Sequence, residues 1–170
     1  GDGFVGKPDG SPLEITLQTP NGTWVKDFEV SQAIAADLQR IGVKAEVEPM
    51  EFATYIGSLA DGSATGELWF QAASGGYGCQ ADISDFSNHT QWQPGKWKHD
   101  EFDDLFQQLT QAVDIDERQE LCYQLQEILH DEAPLIFLYN QVDPYAMSHR
   151  IEWTPFSHGR NNFADMKWAN

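Results

Sequence analysis

The sequence predicts an α/β protein with a mixed, largely parallel sheet that is flanked by helices. Three observations predict this class. Strand-like alternation near the N-terminus is followed by helical spacing and a second alternation, the scheme then repeats, and a late helix ends at a proline that opens an apolar run. A strand–helix–strand unit almost always joins parallel neighbours through a right-handed crossover. At 170 residues the chain has the size of one domain.

The first three elements are predicted from changes in the spacing of apolar residues along the sequence. Apolar side chains alternate with polar ones over residues 13–17, which predicts a strand with one buried face. From Asp27 the apolar residues fall at steps of three and four, which predicts a helix that Gly42 ends in a left-handed cap. Alternation resumes over residues 43–48 and predicts a second strand. The stripe of the intervening helix consists of Val30, Ile34, Leu38 and Ile41.

The next stretch repeats this order before it becomes irregular. Apolar residues between 52 and 59 predict a short helix, closed by the turn sequence DGS. The segment ELWFQAA, residues 67–73, predicts a third strand. Residues 74–98 are rich in Gly, Asp, Asn, Trp and Gln and predict a long irregular loop. A loop of that length inside a compact domain is usually functional or disordered.

The second half is predicted to be mostly helical. Asp116 and Gln119 form a candidate capping box for the last helix, and Pro134 ends that helix because it forces Ala133 out of helical geometry. The apolar run at 135–139 then predicts a central strand that is buried on both faces. Two apolar stripes predict the helices, namely Phe102, Leu105, Phe106, Leu109 and Val113, and Leu121, Leu125, Ile128 and Leu129.

The charge of the chain narrows the classes of partner. Ten basic and twenty-seven acidic side chains give a net charge of −17, which repels nucleic acid and anionic membrane surfaces. The same charge also fits a secreted or salt-adapted protein. No apolar run approaches the roughly 20 residues that a membrane-spanning helix needs. The chain opens with GDGFVGKPDGSP, without an initiator Met or an export leader, as expected of a processed chain or an excised piece.

The cysteines and histidines predict no metal site and no cofactor. Cys79 and Cys122 could form one disulfide, but their positions favour two unpaired or buried thiols without a chemical role. Neither they nor the five histidines have the spacing of metal-ligand pairs. The sequence also lacks a nucleophile elbow, a phosphate-binding loop and a dinucleotide fingerprint, so no catalytic residues are predicted.

Several phrases, in their order along the chain, resemble the solute-binding proteins of ABC importers known as extracellular solute-binding family 5. The phrases are QAIAADLQRIGVKAEVEPMEFATY, QADISDF and HDEFDDLFQQLTQAVDIDERQELCYQLQEILHDEAPLIFLY. The resemblance implies that residues 1–170 are a single lobe of a type II periplasmic-binding-protein fold, excised from a longer two-lobed protein. It also implies two protein partners, the N-terminal lobe of the same chain and the ABC permease subunits. The family is exported, so a periplasmic or extracellular location with a lipoprotein anchor is expected.

The candidate ligand-binding residues come first from sheet geometry. In open α/β sheets, ligands collect outside the carboxyl ends of the strands, here the loop TPNGTW, the loop at 74–98 and residues 140–145. Aromatic faces in these loops could stack on sugars or ligand side chains. Core packing is the alternative for Trp24, Trp69 and Trp92, and it is favoured for Trp69, which lies inside the third strand. The candidates on this basis are Asn21, Trp24, Trp69, Tyr77 and Trp92.

Two acids are candidates because of the resemblance. Peptide-binding members of the family carry an aromatic residue, Ala and Asp after the third strand, and that Asp receives the α-amino group of the ligand. Ala81 and Asp82 match this pattern, and Asp85 matches a second acid, whereas Cys79 and Ile83 replace the expected Trp and Tyr. The alternative role for Asp82 is a loop cap.

The function expected from the sequence is that of a non-enzymatic binding component of an ABC importer. Such a protein captures a small-molecule or peptide ligand between two lobes, with a peptide as the first choice and an oligosaccharide or metal chelate as alternatives. Two other classes are open. One is a secreted, glycosidase-like hydrolase that uses loop carboxylates, and the other is a stand-alone protein-interaction module.

Overall fold

The computed structural model describes residues 4–72, 78–87, 97–156 and 163–169. The chain forms two compact units, Gly1–Ala73 with Ser84–Asp104, and Ser74–Ile83 with Leu105–Asn170. The elements in chain order are β1 Glu14–Pro20, α1 Asp27–Arg40, β2 Lys44–Met50, α2 Phe52–Asp61, β3 Leu68–Trp69, α3 Cys79–Ile83, a 3₁₀ turn Ser84–Phe86, α4 Asp100–Gln111, α5 Ile115–Glu132, β4 Ile151–Glu152, a second 3₁₀ turn Phe163–Asp165 and β5 Lys167–Trp168. No helix in the described ranges is both long and apolar enough to span a bilayer.

The first unit contains a parallel sheet in the order β2-β1-β3. The strand β1 pairs with β2 over its whole length and with β3 over two residues, both in parallel. The prediction of a parallel α/β sheet flanked by helices is therefore confirmed, although the third strand is shorter than predicted. The buried hydrophobic side chains of the first unit are Leu17, Ala35, Val43, Ala45, Tyr55, Leu59, Phe70 and Phe102.

The first two helices end at glycines, as the sequence predicts. Gly42 has a φ of 87°, and the amides of Gly42 and Val43 donate to the carbonyls of Gln39 and Leu38, which is the Schellman pattern. Gly62 ends α2 with a φ of 75°. The inclusion of Ile41 in the apolar stripe is wrong, because this residue lies beyond the end of α1 and is exposed.

The two long helices of the second half are confirmed, with corrections at their ends. Val113 lies after the last residue of α4 and is exposed, so its place in the stripe is wrong. The cap of α5 is Asp114, whose carboxylate accepts from the amides of Asp116 and Glu117, each at 3.0 Å; the predicted capping box began two residues too late. Ala133 is left-handed, with a φ of 46°, directly before Pro134. The buried leucines of α5 are Leu121, Leu125 and Leu129.

The apolar run at 135–139 does not form the predicted central strand. It has no regular secondary structure, and the side chains of Ile136 and Phe137 are about two-thirds exposed, at 66% and 69%. The physical reason is that a strand is buried only by neighbouring strands and covering helices, and nothing in the described ranges pairs with this one. The second unit contains instead a short antiparallel pair of β4 with β5.

A disulfide joins Cys79 on α3 to Cys122 on α5, so the prediction of two unpaired thiols is wrong. The prediction of an irregular loop over 74–98 is also wrong at residues 79–86, which are helical. Residues 74–77 and 88–96 of that loop lie outside the described part of the chain, as does residue 73 of the predicted third strand.

Candidate functional site

The loop that follows β1 is organised by one carboxylate. Asp27, the first residue of α1, is almost fully buried. Its two oxygens accept hydrogen bonds from the amides of Gly22 at 2.9 Å, Thr23 at 2.9 Å, Trp24 at 3.0 Å and Phe28 at 2.8 Å. The backbone of residues 22–24 is therefore held against the start of α1, at the carboxyl end of β1.

The hydrogen bonds also decide the charge of Asp27. Burial alone would raise the pKa of this carboxyl, because it penalises the charged form. The four amide donors outweigh burial and hold the pKa of Asp27 below its ordinary value. The partial positive charge at a helix N-terminus acts in the same direction. The carboxylate is consequently ionised at neutral pH, which is the form that the loop requires.

Trp24 is the half-buried centre of an aromatic cluster that consists of Trp24, Phe52, Tyr55 and Phe70. Its ring meets Phe52 and Tyr55 edge to face, with centroid distances of 5.9 and 6.3 Å, and lies 6.2 Å from Phe70. The hydroxyl of Tyr55 donates to the backbone carbonyl of Phe70 at 2.6 Å, and burial raises the pKa of Tyr55. The cluster fixes the orientation of the indole while part of its surface, and of Phe52, faces solvent.

Trp69, in contrast, is engaged by the sheet. Its indole N–H donates to the side-chain oxygen of Gln18 at 3.1 Å. The side-chain amide nitrogen of Gln18 in turn donates to the carboxylate of Glu48 at 2.7 Å and to the hydroxyl of Thr65 at 3.2 Å. Gln18 and Trp69 are register partners in β1 and β3, so this partly buried network ties the strands together near their carboxyl ends. These contacts favour the packing role for Trp69, and ligand contact stays a prediction.

The two predicted acids lie on consecutive helical turns. Asp82 belongs to α3, and Asp85 belongs to the 3₁₀ turn that follows it. The carboxyl of Asp85 is half-buried, and burial raises its pKa. Among the described residues none donates a hydrogen bond to Asp85. A carboxylate in this state gains from an added cationic or N–H donor, because its desolvation is not yet offset.

The segment that carries Asp85 is anchored at its end. Ser87 and Asp103 are both buried, and the hydroxyl of Ser87 donates to the Asp103 carboxylate at 3.2 Å. Asp103 lies in the first turn of α4. This contact within the first unit holds the turn against α4.

The structure brings some of the predicted residues together and leaves others untested. Asn21 and Trp24 share the loop at the carboxyl end of β1, with Asn21 exposed. Tyr77 and Trp92 lie outside the described residues. Sequence reasoning missed Asp27, although an acid at the first position of a predicted helix was a usable signal. In the described ranges, no cluster of three or more His, Cys, Asp or Glu side chains could hold a metal ion.

Comparisons with known proteins identify the fold. No protein-family model matches the chain. No curated protein matches its sequence. Solved structures do match. One is the periplasmic murein tripeptide binding protein MppA in its unliganded open form, at 20% identity and a TM-score of 0.65 over 76% of this chain and 24% of that one.

Two further structures have 24% identity and a TM-score of 0.63 over 78% of this chain. The periplasmic oligopeptide-binding protein of Thermotoga maritima is covered over 26% of its length and has also been solved with bound mannohexaose. NikA from Brucella suis, in complex with Fe(III)-EDTA, is covered over 27%.

The chain has the fold of part of a periplasmic binding protein. The predicted resemblance is thereby confirmed for the fold. The chain spans about a quarter of the length of the solved binding proteins that it matches.

Proposed function

We propose that this chain is one lobe of the solute-binding component of an ABC importer, and that the complete protein has two lobes. The support is the fold shared with three binding proteins, each about four times as long as the matched segment. In the complete protein the N-terminal lobe supplies the opposite wall of the ligand site. The ABC permease subunits then receive the ligand, and a lipoprotein anchor holds the protein outside the cytoplasm.

The observation that carries this proposal is the loop fixed by Asp27 at the carboxyl end of β1. Four hydrogen bonds hold its backbone in one conformation, and the aromatic cluster holds Trp24 with part of its indole exposed. This is the edge of an open parallel sheet at which ligands collect. A preorganised aromatic surface binds a ligand with little loss of side-chain entropy.

The exposed apolar segment supports a second lobe. Residues 135–139 are apolar and largely exposed, and Val142 is 86% exposed. Contiguous apolar surface of this kind usually marks a contact surface. We infer that the remainder of the complete chain covers it.

A peptide is the ligand class that we propose first. The half-buried carboxylate of Asp85 suits the α-amino group of a peptide, since a desolvated carboxylate is stabilised by an ammonium that also donates hydrogen bonds. Asp82 on α3 is a separate proposed contact, because it matches the Asp of the peptide-binding members of the family. An oligosaccharide would instead rely on stacking against Trp24, with a contribution from Asn21. A metal chelate is the third class. Trp69, Tyr77 and Trp92 are further proposed contacts.

The test uses the complete natural protein. Its thermal stability is measured against panels of peptides, oligosaccharides and metal chelates, and calorimetry then gives the Kd of each hit. The proposal predicts peptide binding that weakens about tenfold in Asp82→Asn and Asp85→Asn, a loss of about 1.4 kcal/mol. The exposed Asp104→Asn is the matched control and leaves the Kd unchanged. No binding from any panel, or hydrolysis of a bound peptide or glycoside, would overturn the proposal.

A further inference from the structure

The short helix α3 is attached to α5 at two adjacent positions. Cys79 forms the disulfide with Cys122, and the side-chain oxygen of Gln80 accepts a hydrogen bond from the guanidinium of Arg118 at 3.0 Å. Arg118 and Cys122 are four residues apart on α5 and therefore share a face of that helix. A disulfide and a neighbouring hydrogen bond therefore both join the start of α3 to the same face of α5.

The guanidinium of Arg118 is itself held in place. Its other terminal nitrogen donates to the carbonyls of Leu109 at 2.9 Å and Ala112 at 3.0 Å. These carbonyls lie at the end of α4, where backbone acceptors lack partners within the helix. Arg118 therefore links α3, α4 and α5 through one planar group, and its fork geometry is needed for all three bonds.

Tertiary contacts must determine the position of α3. The helix has five residues, which is far too short to be stable by itself. The disulfide and Arg118 act on its first two residues, and Ile83 at its other end is buried. Asp82 lies between these attachment points.

We propose that the Cys79–Cys122 disulfide and Arg118 form a latch that positions Asp82 for ligand, and that opening the disulfide lowers ligand affinity. The role for Asp82 rests on the proposed function, whereas the latch itself does not. Opening requires a dithiol reductant. Two electrons and two protons pass to the protein, the S–S bond breaks to give two thiols, and the dithiol becomes a disulfide.

The latch is tested by amide hydrogen exchange on the complete protein. Dithiothreitol should accelerate exchange across residues 79–83 by about tenfold or more, and reoxidation should restore the slow rate. The double variant C79S/C122S should exchange fast with or without the reductant. Exchange in α1 is the internal control and should not change. Unchanged exchange across residues 79–83 after reduction would overturn the latch.

Positioning is tested by affinity, with a tetrapeptide from the peptide panel as the probe. Reduction of the wild-type protein should raise its Kd about tenfold, and reoxidation should restore it. Arg118→Lys keeps the charge but loses the fork, so it should also raise the Kd. Faster exchange with an unchanged Kd would overturn the positioning role, because a merely structural disulfide alters stability alone. If the wild-type protein binds no ligand, the proposed function and the positioning role both fail, and exchange still decides the latch.

Discussion

Replacement of Asp27 by Ala removes the acceptor that organises the loop after β1. The bond from the half-buried Phe28 amide to a charged acceptor is worth about 1.5–3 kcal/mol. The amides of Gly22, Thr23 and Trp24 lie in a loop that water can reach, so their bonds are counted at about 0.5 kcal/mol each, the low end of the range. The expected loss in the free energy of unfolding is therefore about 3–4.5 kcal/mol.

Urea denaturation measures this loss, and a thermal scan should show a fall in Tm of about 6–18 °C for a chain of this size. The matched control is Glu29→Ala in the same helical turn. Its ion pair with Lys26, at 3.7 Å, is mostly exposed, so the expected loss is below about 0.5 kcal/mol. If Asp27→Ala costs less than about 1 kcal/mol, or no more than the control, the carboxylate does not organise the loop as argued.

The same carboxylate gives a defined pH dependence. Because folding lowers the pKa of Asp27, its contribution is complete above the ordinary value of 3.8 and is lost as pH falls through the lower folded value. The difference in stability between wild type and Asp27→Asn should therefore shrink as pH falls below that window. A difference that stays constant, or grows, with acidification would contradict the sign of the shift.

Three further variants probe the two units, each followed by urea denaturation. Replacing Cys79 and Cys122 by Ser opens a link across 43 residues and should cost about 4 kcal/mol, and a variant as stable as the oxidised wild type would argue against the disulfide. Tyr55→Phe leaves the carbonyl of Phe70 without its buried donor and should cost about 1–2 kcal/mol, so a neutral effect would mean that water replaces the hydroxyl. Gly66→Ala places a Cβ 2.8 Å from the Cγ of Gln18 in β1 and should cost about 1–3 kcal/mol. A neutral effect would mean that the side chain of Gln18 moves away without loss of stability.

The elements of the first unit could be predicted because their signals are local. The alternation at 13–17 and the helical spacing from Asp27 each report which face of a single element is buried. The left-handed cap at Gly42 is also a local signal, because glycine adopts a positive φ without steric cost. Parallel pairing then follows from the order of strand, helix and strand.

The features that the sequence did not predict depend on contacts between distant parts of the chain. The apolar run at 135–139 indicates burial, but burial needs strands that the described residues do not supply. The disulfide requires α3 to lie beside α5, and nothing in the spacing of Cys79 and Cys122 reveals this approach. The acid at 27 marks a helix start, but its three loop donors follow from a backbone path that the sequence does not disclose.

A crystal structure of the complete natural protein, with a bound ligand identified from the panels, tests the proposed two-lobed binding protein most directly. We expect a ligand enclosed by two lobes, in contact with Trp24 at the carboxyl end of β1, with residues 135–139 covered by the rest of the chain. A ligand bound away from that edge, or a complete polypeptide that contains no second lobe, would contradict it.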